Sequence, residues 1–144
     1  MQKTSSFISV EHSVVIAASI AEVFERWQRI EDYPRFMEGV REIAWLDEKR
    51  FRLHSESGGE FYESICEMVL KIPEKRLAWR TLSGPDSSGA ACFESSSDGS
   101  TSMTLKMRYD GATGWQDSAQ VAERLRGNLE RFKALMEVGA PVAS

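Results

Sequence analysis

The spacing of polar and apolar positions changes period along this chain. Over residues 7–16 it alternates: Ile8, Val10, His12, Val14 and Ile16 share one face, Ser9, Glu11 and Ser13 the other. A period of two predicts a half-buried strand. Ser19, three residues before Glu22, marks a helix start. Ile20, Val23, Phe24 and Trp27 give that helix an apolar stripe running to about Gln28. Pro34 disfavours helix at Tyr33 but suits the first turn of a new one. Glu31-Asp32-Tyr33-Pro34 therefore reads as a break, and Arg35 to Met37 as a short second helix closed at Gly39.

Beyond Val40, turn-forming clusters recur at Asp47-Glu48-Lys49, Ser57-Gly58-Gly59, Pro73-Glu74-Lys75, Gly84-Pro85-Asp86 and Asp98-Gly99. Between them lie strand-like segments: Val40–Leu46, Phe51–Glu56, Glu60–Ile72, Arg76–Ser83, Gly89–Ser95 and Thr101–Asp110. Short connections between such segments spell an antiparallel meander. The fourth strand turns Tyr62, Ser64, Cys66, Met68 and Leu70 to one face, and Phe61, Ile65 and Val69 mix with charges on the other. The last strand opposes Met103, Leu105, Met107 and Tyr109 to Thr104, Lys106 and Arg108.

The period then lengthens to that of a helix. Trp115, Ala119, Ala122, Leu125, Leu129, Phe132 and Met136 form one stripe of a long amphipathic helix over about 115–138. Thr113 with Gln116, or Asp117, starts it; Gly139 and Pro141 end it. An apolar stripe of that length needs an apolar partner, and a curled seven-stranded antiparallel sheet supplies one. The fold class is α+β, in the order strand, two short helices, six strands, long helix, forming a single domain over 1–144.

Composition narrows the functions. The 144 residues are 42% hydrophobic and 28% charged, with a net charge of −4 and no basic run. Phosphate recognition needs clustered Lys and Arg, so nucleic acid is not an expected partner. No apolar run approaches the roughly 20 residues of a membrane span. The N-terminal MQKTSSFISV lacks the apolar segment of a signal peptide. Cys66 and Cys92 have no metal-ligand spacing and read as reduced, small core residues of a cytoplasmic protein. No motif for nucleophilic catalysis, phosphate cradling or metal binding is present. No metal or cofactor is expected.

Several blocks resemble a known family. They are Trp27 with Glu31-Asp32-Tyr33-Pro34-Arg35-Phe36-Met37-Glu38-Gly39-Val40, Gly58-Gly59, Ile72 to Arg80, Gly89 with Phe93, Tyr109-Asp110 before Gly114, and Asn128 to Lys133. Over about 7–138 the chain resembles the polyketide cyclase/dehydrase branch of the START-like (SRPBCC, helix-grip) superfamily. The resemblance implies a curved sheet wrapped around the C-terminal helix. It also implies a pocket between them, gated by the short second helix. Relatives include aromatase/cyclases, ubiquinone-binding proteins and ribosome-associated toxins. The chain departs from the aromatase/cyclases. Their pocket arginine has no counterpart among Ser64, Cys66, Met68 and Leu70. A common tryptophan appears as Ser64, a neighbouring aspartate as Ile65, and the proline after Tyr-Asp as Gly111.

Such a fold hosts carriers, sensors and enzymes, so function rests on the site. The expected function is binding of a small hydrophobic ligand that is polycyclic, lipid or quinone-like, by a monomer or a homodimer. The expected lining is Tyr33, Phe36, Met37, Trp45, Leu53, Ser64, Cys66, Trp79, Phe93, Met107, Tyr109, Leu125, Asn128, Leu129 and Phe132. Aromatic and methionine side chains suit an adaptable apolar pocket. An aromatase/cyclase or dehydratase is the alternative, with His12 or Tyr33 supplying proton transfer. A protein acting on the translation machinery is the third.

Overall fold

The computed structural model describes residues 7–57, 59–84, 87–110 and 118–138. Thr113, Trp115, Gln116, Asp117, Gly139 and Pro141, expected to bound the long helix, lie outside that set. So do Gly58, Pro85, Asp86, Gly111 and Gly114.

Strand β1 spans Phe7–Ile16, and its inward Val14 and Ile16 are buried. Helix α1, Ile20–Trp27, opens on a reciprocal cap: Ser19 Oγ accepts from Glu22 N, and Glu22 Oε1 accepts from Ser19 N. It buries Val23, Phe24 and Trp27 and ends at Gln28.

The short second helix lies one turn earlier than its residues suggest. Ile30–Arg35 forms a 3-10 helix that includes the supposed break, with Pro34 inside it. Proline lacks an N–H but accepts the φ of a 3-10 turn, so it interrupts an α-helix more than this tighter one.

Six strands follow: β2 Val40–Trp45, β3 Arg50–Ser57, β4 Glu60–Ile72, β5 Arg76–Ser83, β6 Ser87–Ser95 and β7 Thr101–Asp110. All pairs are antiparallel, and the sheet order is β1-β7-β6-β5-β4-β3-β2. Helix α2, Ser118–Val138, closes the fold in the helix-grip arrangement.

Register shifts curve the sheet and re-aim side chains. One between Val40 and Glu42 turns both Val40 and Ile43 inward, which strict alternation forbids. Another, between Met68 and Leu70 on β4, overturns the inward placement of Leu70, which is 37% exposed. On the outer face Phe61 and Val69 are exposed. Phe61, 69% exposed, carries the Arg41 guanidinium 5.7 Å from its ring centre.

Helix α2 buries Val121, Leu125, Asn128, Leu129, Phe132 and Met136. Ala119 and Ala122, placed on the stripe by spacing, are exposed. At about 100° per residue the buried arc centres on Leu125 and Phe132. Ala122 sits at its edge and Ala119 beyond it, while Val121 and Asn128 swing in. The helix also meets the open edge of β1: Lys133 Nζ donates to the Val15 carbonyl at 2.8 Å, and Glu137 Oε2 accepts from Ala17 N at 2.9 Å.

The interior is divided. A larger cluster joins α1, α2, β1, β6 and β7 around Trp27, Phe93, Leu129 and Phe132. A smaller one holds Ile30, Ile43, Phe51 and Cys66. Tyr33 and Met68 pack against both.

Candidate functional site

Between the two clusters lies a cavity of about 200 Å³. Helix α2 contributes Val121, Arg124, Leu125 and Asn128. Trp27, Ile30 and Tyr33 come from α1 and the 3-10 helix, and the next wall is Met37 to Val40. The sheet contributes Ile43, Phe51, Leu53, Ser55, Cys66, Met68, Leu77, Trp79, Ala91, Leu105 and Met107 among others. Space exists because small residues stand where large ones would meet: Cys66 on β4 and Ala91 on β6. Gly89, paired with Trp79 across β5 and β6, lets the indole lie on the strand. A Cβ there would stand 2.7 Å from the Trp79 ring.

The wall after the 3-10 helix is fastened to α2. Asn128 Oδ1 accepts from Glu38 N at 2.8 Å and from the Arg131 guanidinium at 2.7 Å. Arg131 Nε donates to the Phe36 carbonyl at 2.8 Å. Gly39 turns this wall into β2 with φ of +89°, accepting from Glu56 N at 2.8 Å. A side chain there is disfavoured by that φ, and its Cβ would stand 2.9 Å from the Glu56 carbonyl oxygen.

Of the expected lining, the structure brings Tyr33, Met37, Leu53, Cys66, Trp79, Met107, Leu125 and Asn128 to the cavity. It places the others elsewhere. Phe36 and Phe132 pack against Trp27, tilted at 5.9 Å and edge-on at 4.9 Å between ring centres. Phe93 packs edge-on against Phe24 at 5.2 Å. Tyr109 and Leu129 are fully buried core. Ser64 is buried beneath the turn at Gly84, whose Cβ would lie 2.7 Å from its hydroxyl. Trp45 is 37% exposed at the end of β2, edge-on to Phe51. The expected lining omits Ile30, Ile43, Phe51, Met68, Leu77, Ala91, Leu105, Val121 and Arg124, although spacing puts Met68 and Leu105 on the same faces as Cys66 and Met107. Phe51 shares parity with Leu53 and was legible; Ile43 was hidden by the register shift.

The candidate proton carriers do not converge. His12 lies outside the cavity lining, with Nε2 3.3 Å from Glu130 on α2. Tyr33 reaches the cavity with its ring, but its hydroxyl donates to the Trp27 carbonyl at 2.6 Å. Burial pushes that phenol well above its usual range. Cys66 is 1% exposed. Burial pushes its thiol up to about 11, against a smaller opposite pull from the Thr81 hydroxyl. With its pKa raised from 9.0 to about 11, Cys66 holds about a hundredfold less thiolate at neutral pH than an ordinary thiol, and, buried as it is, should alkylate more slowly. Iodoacetamide labelling followed by peptide mass mapping checks this; labelling of Cys66 as fast as a free thiol would refute it. Partly exposed Cys92 should react first. Among the described residues no group of three or more His, Cys, Asp or Glu is placed to hold a metal. None of their helices is long and apolar enough to cross a membrane.

A curved antiparallel sheet gripping a C-terminal helix, with a cavity between them, defines a START-like protein. Residues 8–137 match the profile of the polyketide cyclase/dehydrase and lipid transport family, and the chain belongs to that family. An uncharacterised 17.2 kDa protein of Streptomyces lincolnensis is 26% identical over 133 residues, 89% of each chain. A crystal structure from Deinococcus radiodurans is 26% identical with a TM-score of 0.76, covering 92% of this chain and 99% of that one. An aromatase/cyclase from Streptomyces sp. R1128 shares the fold at 20% identity, with a TM-score of 0.70 over 96% of this chain and 99% of that one.

Proposed function

We propose that this protein binds a small, mainly apolar molecule in the cavity between the sheet and α2. The observation that carries this reading is the divided core: about 200 Å³ stay open where Cys66, Ala91 and Gly89 withhold bulk. Natural interiors pack to crystal-like density, so a void of this size departs from what stability alone selects. Membership of a family described as cyclase, dehydrase and lipid transport supports the same reading. So does the commitment of Tyr33 and Cys66 to roles other than proton transfer or attack. An engineered apolar cavity of about 150 Å³ admits benzene, so the ligand body here is one or two rings rather than a long polycycle.

Native mass spectrometry of freshly purified protein, with an organic extract of the same sample, tests the reading. The expected result is a bound small molecule, or uptake of added acetylnaphthalene at one per chain. Failure to take up any one- or two-ring aromatic would overturn it.

A further inference from the structure

We infer that the ligand is an acid: a flat apolar body of about two rings whose carboxylate sits between the Arg124 guanidinium and the Asn128 amide. This rests on the binding reading and adds a headgroup to it. Arg124 and Asn128 are one turn apart on α2 and both line the cavity. Among the described residues Arg124 makes no hydrogen bond or ion pair, unlike its neighbours on the helix. Arg126 pairs with Glu123, and Arg131 holds the Phe36 carbonyl and Asn128 Oδ1. The Arg124 guanidinium reaches Gly39, its Nη1 3.1 Å from where a Cβ would be, so a missing side chain makes its room.

Asn128 supplies the second, independent observation. It is 9% exposed. Its oxygen takes two donors, which fixes the amide's orientation. Its nitrogen, with two hydrogens to give, has no acceptor among the described residues. A cation beside an amide N–H is a carboxylate's partner set. The acidic side chains at this end do not fill that role. Glu56 is paired with Arg41 at 2.7 Å, and Glu38 is exposed; neither forms an ion pair with Arg124. Leu77, Ala91 and Leu105, neighbours across β5, β6 and β7, give the cavity an apolar wall for the rings.

The test compares naphthoate with uncharged acetylnaphthalene, of nearly the same shape, by fluorescence titration at neutral pH. Wild type should bind naphthoate more tightly. Arg124→Gln should weaken naphthoate at least about tenfold and leave acetylnaphthalene nearly unchanged. Asn128→Asp keeps the acceptor for Glu38 N and Arg131 while adding a negative charge, and should also select against naphthoate. Arg126→Gln, on the exposed face, should shift neither. Equal binding of both probes, unmoved by Arg124→Gln and Asn128→Asp, would overturn the headgroup and leave the cavity reading standing. Binding of neither probe to wild type would overturn both.

Discussion

Phe132→Ala should lower the stability of this protein by about 3–5 kcal/mol, a large part of the roughly 5–15 kcal/mol available to a domain. Phe132 is fully buried at the crossing of three elements. Its ring stands edge-on to Trp27 of α1, at 4.9 Å and 81°, and tilts against Phe36 at 5.2 Å. Each aromatic contact adds about 0.5–1.5 kcal/mol beyond area burial. The loss should therefore fall at the high end for a core truncation. Urea unfolding followed by tryptophan fluorescence measures it. A loss below about 1 kcal/mol would mean that the site collapses freely, and that α2 is not pinned here.

Ala91→Phe should abolish binding of any ring-sized apolar probe, by about a hundredfold or more, with the protein still folded. Ala91 is 2% exposed on β6, opposite Leu77 on β5 and Leu105 on β7, and it lines the cavity. A phenyl ring is the body that a cavity of about 150 Å³ admits, so a benzyl side chain would take most of the space. Overpacking costs about 1–3 kcal/mol where no space exists, and the cost should be smaller where a void receives the ring. Titration with acetylnaphthalene, beside a urea unfolding curve, separates the two effects. A folded variant that binds as wild type does would place the ligand elsewhere.

The elements were largely legible and the site only partly so, for a shared reason. Alternation and helical spacing report which face of an element is apolar, and they hold where elements are regular, as in β1 and β7, which pair without a shift; β4 and β5 begin and end as expected but pair with shifts. Both patterns fail where the backbone changes phase. The shift at Arg41 hides Ile43, the shift at Val69 displaces Leu70, and Pro34, which reads as a break, sits inside a 3-10 turn. Spacing also cannot separate core from cavity wall, because both are apolar. Phe93, Leu129 and Phe132 went to the core, while Leu125 and Trp79 went to the wall. On the wheel Arg124 belongs to the charged side, and only the rotation that buries Val121 and Asn128 brings it to the cavity.

The contacts of α2 with β1 bear on how this protein meets its own copies. An outermost strand presents bare amides and carbonyls on which another chain can crystallise a further strand. Here the lysine at 133 and the glutamate at 137, themselves paired at 2.7 Å, occupy the carbonyl of Val15 and the amide of Ala17. The helix that roofs the cavity thus acts as a selvedge for the sheet. At those two groups a neighbouring strand finds its hydrogen bonds already taken.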